Sequence, residues 1–137
     1  MIIHPVPLAD VPTVWPIVLP FAQRMAAAQP EDWPLANIEA QADDGRLKLW
    51  LILSDNHLIA VGATSIFESH DGKTEMSCRW ICGAGPKQWA HLIVEVEKMA
   101  RELGCSRVLI NYGDHAAWTR LLPDYTAKVM VQLSKEL

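Results

Sequence analysis

The stretch Thr74-Glu75-Met76-Ser77-Cys78-Arg79-Trp80-Ile81-Cys82, the turn Gly83-Ala84-Gly85 and the run from Pro86 to Asn111 decide how this chain folds. Thr74 to Cys82 alternates as a strand, which predicts Met76, Cys78, Trp80 and Cys82 on one face and Glu75, Ser77, Arg79 and Ile81 on the other. From Pro86 to Leu103 the period changes. Trp89, Leu92, Ile93, Val96, Ala100 and Leu103 fall on one helical face, with Glu95, Glu97, Lys98, Arg101 and Glu102 away from its centre. Glu97 with Arg101, and Lys98 with Glu102, have the spacing of helix-stabilising pairs. Gly104 ends the helix, and Ser106 to Asn111 reads as a short buried strand. A strand, a helix and a strand in one sheet connect as a right-handed crossover, so the two strands are expected to run parallel.

Upstream of this unit, Ile2 to Val6 reads as a strand whose Pro5 suits an edge. Asp10 is placed as an N-cap, and Val11-Pro12 opens a helix carrying Val14, Ile17, Val18, Phe21 and Met25. Pro16 and Pro20 each remove a backbone donor, which predicts a kinked or two-part helix. Pro34 to Asp44 reads as a second helix, ended by Gly45. Leu47 to Leu53 and His57 to Phe67 flank the turn Ser54-Asp55-Asn56-His57 and form an antiparallel hairpin, in which Gly62 marks a bulge or a close approach. Downstream, Ala116 to Leu122 is a short helix before Pro123, and Lys128 to Leu133 is the last strand. The whole predicts one mixed-sheet α/β domain over residues 1–137, without repeats or a linker.

Composition limits what such a domain does. The net charge is −4 and no basic run occurs, which argues against binding nucleic acid through its backbone. No long apolar stretch suggests a membrane span, and the first residues do not resemble a signal peptide. Cys78, Cys82 and Cys105 lack metal-site spacing, and the five histidines are scattered, so no metal site is expected. Reduced thiols in a cytoplasmic protein are the expected state. Six tryptophans, at 15, 33, 50, 80, 89 and 118, call for surfaces that become covered, in the core or at an interface such as a homodimer or assembly contact.

The element order, at this length, resembles the GNAT superfamily of acyl-CoA-dependent N-acetyltransferases across nearly the whole chain. The resemblance implies a central sheet in which two parallel strands, Thr74–Cys82 and Ser106–Asn111, splay apart around the pantetheine arm of acetyl-CoA or another acyl-CoA. It implies that backbone N–H groups near Trp80, Ile81 and Cys82 polarise the thioester carbonyl, and that Asn111 borders the cleft. The turn Gly83-Ala84-Gly85-Pro86-Lys87-Gln88-Trp89-Ala90 stands where the family cradles the pyrophosphate, with Lys87 as a phosphate partner.

The residues depart from the family pattern Gln/Arg-x-x-Gly-x-Gly/Ala, since with Ala90 in the last place Gln88 stands at the central glycine and Gly85 at Gln/Arg. A Gly-x-Gly before a helix serves equally as a plain strand-to-helix turn. In the stretch Gly113 to Tyr125, aligning Asp124-Tyr125 with the family's Gly-Phe end puts Arg120 where a general-acid tyrosine is usual. A guanidinium stays protonated and binds phosphate or carboxylate instead. Tyr112 at the strand end is then the candidate acid. Glu75, with Glu68 and His70 as further candidates, is the base that would accept the amine's proton; each reads equally as packing or as a solvated group.

Three functions remain open at this level: acyl transfer to a small-molecule or protein amine, a GNAT fold without chemistry that binds or assembles, and an α/β domain unrelated to coenzyme A. Short, motif-poor members of this kind also resemble proteins carried in phage or prophage gene sets.

Overall fold

The computed structural model describes residues 1–111, 115–128 and 133–137. The first strand, β1 (Ile2–Pro5), leads through a 3-10 turn at Leu8–Asp10 into α1 (Val11–Ala28) and α2 (Leu35–Asp43). Then come β2 (Lys48–Ser54), β3 (His57–Glu68) and β4 (Thr74–Gly83). Two further 3-10 turns, Pro86–Gln88 and Ala90–Leu92, precede α3 (Ile93–Glu102), and β5 (Arg107–Ile110) and α4 (His115–Leu121) follow. The sheet order is β1-β2-β3-β4-β5, antiparallel except for the parallel β4–β5 pair. The crossover expectation therefore holds. The predicted strand Lys128–Leu133 falls mainly on residues 129–132, outside the described residues.

Helix α1 runs unbroken from Val11 to Ala28 and contains Pro16 and Pro20, so of the expected kinked or two-part helix the two-part form is corrected. The prolines at 12, 16 and 20 are four apart and all exposed, so they share one solvent-facing stripe. The missing N–H of Pro16 would have reached the carbonyl of Pro12, and that of Pro20 the carbonyl of Pro16. The exposed stripe leaves those carbonyls accessible to solvent, while Val18, Ala22 and Met25 hold the opposite face in the core. Asp10 makes no side-chain cap bond, because the preceding 3-10 turn already holds it in a helical conformation.

The sheet separates two cores. Leu49, Leu51, Val61, Ala63 and Trp80 pack with α1 and α2, whereas Trp50, Ile52, Ala60, Met76 and Cys78 pack with α3 and α4. Strand β4 changes sides midway. Ala63 pairs with Trp80 but Thr64 pairs with Cys78, so Arg79 is an extra residue in the ladder. Met76 and Cys78 therefore face α3 while Trp80 and Cys82 face α1, correcting the single face expected for these four. Gly62 sits in regular pairing between Trp50 and Ile81 and is no bulge.

Trp33, Trp50, Trp80, Trp89 and Trp118 are buried in the two cores, and Trp15 packs half-buried against the first of them. Trp89 and Trp118 meet edge to face with centroids 5.9 Å apart, joining α4 to the segment before α3. Among the described residues, no helix is long and apolar enough to cross a membrane, and no group of metal-ligating side chains gathers.

Candidate functional site

The parallel ladder between β4 and β5 runs from Glu75–Arg107 to Cys78–Ile110 and closes with the Asn111 N–H donating to the carbonyl of Cys78 at 3.3 Å. Beyond that rung β4 continues to Gly83, paired among the described residues only with β3. The two strands therefore part at Arg79. The fork coincides with the bulge, which turns β4 out of its earlier register.

On the α1–α2 face the fork is closed by polar groups. The Asn111 side-chain amide donates to Ser77 Oγ at 2.8 Å, and Ser77 is fully buried. Arg79, the next residue on this face, is exposed, and its guanidinium lies over the ring of Trp33 at 5.6 Å from the centroid. Trp33 comes from the α1–α2 connection, so this contact links that connection to the bulge. Trp80 is fully buried, and its indole N–H has no hydrogen-bond partner among the described residues. Of these residues, Ser77, Arg79 and Trp33 were not singled out from the sequence as site residues. An arginine set between Cys78 and Trp80, both on the expected apolar face of the strand, was the available signal for Arg79.

Glu75 lies at the closed end of the ladder, not at the fork. Its carboxylate is buried, and Arg107 Nε stands 2.8 Å from its Oε2. Five strand residues at about 3.3 Å each separate it from Trp80. The pair ties β4 to β5 where they are most closely joined. Glu68 and His70 are exposed at the β3–β4 connection. Tyr112 lies outside the described residues.

The turn after β4 is held by its own groups. Gly83 has φ +120, and a Cβ there would stand 2.4 Å from the Ile59 carbonyl oxygen and 2.7 Å from Ala60 Cα. Gly83 is thus demanded by the approach of β3. Ala84 donates its N–H to Ile59, Gln88 to Gly85, Trp89 to Pro86 and Leu92 to Trp89. The Trp89 indole N–H also donates to the Ala84 carbonyl at 2.7 Å. That latch, with Pro86 lacking an N–H, draws residues 86–92 into two tight turns. The helix expected from Pro86 therefore begins only at Ile93. Leu103, expected on its buried stripe, is exposed just past its end. Gly85, by contrast, faces open space, and Lys87 and Gln88 are exposed beside it. Arg120 is exposed on α4.

Glu97 does not make the pair expected with Arg101. It accepts a hydrogen bond from the Tyr125 hydroxyl at 2.6 Å, and burial together with Glu97 holds the Tyr125 phenol well above its usual range. This bond fastens the segment after α4 to α3. A groove of about 770 Å³ runs along β5 beside this contact, bordered by Phe67, Arg101, Arg107 and Asn111.

No protein-family model matches the chain, and no curated protein matches it in sequence. Solved structures do match its fold. An aminoglycoside acetyltransferase from an uncultured soil metagenomic sample, solved with sisomicin, is similar with a TM-score of 0.68 at 14% identity, over 98% of this chain and 95% of that one. A ribosomal-protein-alanine N-acetyltransferase from Brucella melitensis biovar Abortus 2308 gives 0.64 at 16% identity, over 99% and 100%. A GNAT family acetyltransferase from Staphylococcus aureus gives 0.62 at 12% identity, over 99% and 98%. The described residues have the GNAT fold, matched over nearly the whole chain.

Proposed function

We propose that the chain is an N-acyltransferase that takes its acyl group from acetyl-CoA or another acyl-CoA and passes it to an amine. The observation that carries this reading is the fork at Arg79, where β4 and β5 part after the Cys78–Ile110 rung on a fold shared with acetyltransferases. Acyl-CoA, when bound, supplies a thioester carbon open to attack by the amine. The chain's residues suit that group in two places. Gly85 leaves open space beside Lys87, whose ammonium would pair with phosphate. The bulge frees main-chain groups of β4 next to the fork from the β5 ladder, and their N–H donors would polarise the carbonyl. Asn111 and the buried Ser77 would keep the mouth of the fork in one geometry. We place the reaction in the cytoplasm, in keeping with the unpaired cysteines.

A second reading is favoured by the Trp89 latch and the main-chain bonds that the turn makes to itself, which leave fewer donors facing a phosphate. Under it the chain is a GNAT-fold module that binds or assembles without transfer. Isothermal titration with acetyl-CoA separates the two. Transfer predicts micromolar binding that weakens when Lys87→Glu reverses the charge at the turn. Absence of binding at millimolar acetyl-CoA would leave the second reading alone.

A further inference from the structure

We propose that Arg79 selects the acceptor, and that the acceptor carries a carboxylate close to its amine. The inference rests on the transferase reading and names the substrate class of the same fork. Arg79 is the inserted residue of the bulge and the first residue of β4 beyond the β5 ladder. Its side chain is therefore set at the mouth of the fork by the backbone itself. It lies on the face that carries Ser77, Asn111 and Trp33, opposite α3 and the turn assigned to the cofactor.

The charge at this position is not neutralised. Among the described residues, the ion pairs are Arg46–Asp44 and Arg107–Glu75, and neither involves Arg79. Glu75, four residues earlier on β4, is buried and held by Arg107. Glu31 and Asp32 adjoin Trp33 in sequence, are exposed, and make no ion pair with Arg79. The guanidinium lies over the indole of Trp33, a contact that restrains the side chain, and its N–H groups make no hydrogen bond among the described residues, which leaves them for a ligand. An ordered guanidinium edge matches a carboxylate by two parallel hydrogen bonds. It also raises the energy of a cationic group placed beside it, so polyamines are poor acceptors.

The test reads binding as well as turnover. The Arg79 Nε–H resonance, assigned by its loss in Arg79→Gln, is followed by NMR during titration with L-glutamate, spermidine or sodium chloride of equal ionic strength. The expected result is a saturable shift with glutamate in the millimolar range and none with spermidine or salt. Followed at the Trp33 indole N–H, which both proteins retain, Arg79→Gln should weaken glutamate binding by about ten-fold or more, the usual worth of a hydrogen bond to a charged group. Arg79→Lys, which keeps the charge but not the edge, should fall between. Equal shifts with spermidine or salt, or unchanged affinity in Arg79→Gln, would overturn the proposal. Acetyl-CoA titrated in parallel tells the two claims apart. Acetyl-CoA binding without a glutamate site rejects this inference alone, and a glutamate site without acetyl-CoA binding rejects the acceptor role together with transfer.

Discussion

Asn111 donates its side-chain amide to the hydroxyl of Ser77 across 2.8 Å, at the last rung before β4 and β5 part. One partner is exposed and the other fully buried, so the bond reaches from the surface into the sheet. Ser77→Ala should lower stability by only about 1 kcal/mol, the net worth of one such bond, because the Asn111 amide can then turn to water. Its larger effect should be local, as faster amide exchange at Asn111, whose N–H donates to Cys78. Unchanged exchange at that amide would show that the backbone rung alone holds the fork.

Two glycines of the sheet should respond in opposite directions to alanine. Gly83 has φ +120 and main-chain atoms within 3 Å of any added Cβ, so Gly83→Ala should cost several kcal/mol, about 3 or more. At Gly62 a Cβ would meet Ile81 Cγ1 at 3.6 Å and the Trp80 carbonyl at 3.7 Å, which are ordinary contacts. A small apolar cavity of about 30 Å³ adjoins it, lined also by Trp50, Ile81 and Trp89. Gly62→Ala should therefore stabilise by about 0.5–1 kcal/mol, chiefly by restricting the unfolded chain. Urea titration of both variants checks the pair, and a destabilised Gly62→Ala would mean that the strand has no room there.

Glu75→Gln should reduce stability by about 1–3 kcal/mol, below the figure for a fully buried pair because Arg107 is half exposed. If the pair acts as a unit, Arg107→Ala should lose a similar amount, and the double variant little more than either. Thermal melts of the three proteins measure this coupling. A variant Glu75→Gln that melts like the parent but loses turnover would instead assign the carboxylate to catalysis.

Alkaline pH should unfold the protein through its buried protons. Burial pushes the Cys78 thiol up to about 12, from about 9 in the unfolded chain. The native state thus keeps its proton where the unfolded state has lost it. The stabilisation is complete below pH 9 and is lost as pH rises towards 12. Tyr125, raised by burial and by Glu97, acts in the same direction from about pH 10, its ordinary value, upwards. Stability measured from pH 8 to 11 should fall, and Cys78→Ala should flatten the fall. An equal slope in the variant would place the alkaline lability elsewhere.

The sequence by itself determined the elements of the fold and the parallel β4–β5 pair, because periods of two and 3.6 and the glycines that end elements are local properties. It located the turn after β4 for the same reason. What it could not carry was the side on which each residue lies once the ladder is interrupted. The inserted Arg79 is visible only in the pairing with β3, and it moves Trp80 and Cys82 to the opposite core from Met76 and Cys78. The late start of α3 has the same origin, since the Trp89 indole prefers the Ala84 carbonyl and its own buried place to continuing a helix. Helical propensity at Pro16 and Pro20 was likewise outweighed, because burial of Val18, Ala22 and Met25 acts along the whole of α1 while the lost bonds face water. The partners of Glu75, Ser77, Glu97 and Arg79 lie on other elements, some distant in sequence. Only tertiary contact could assign them, because an ion pair, a hydrogen bond or a stacked ring depends on where the sheet and its helices place two side chains.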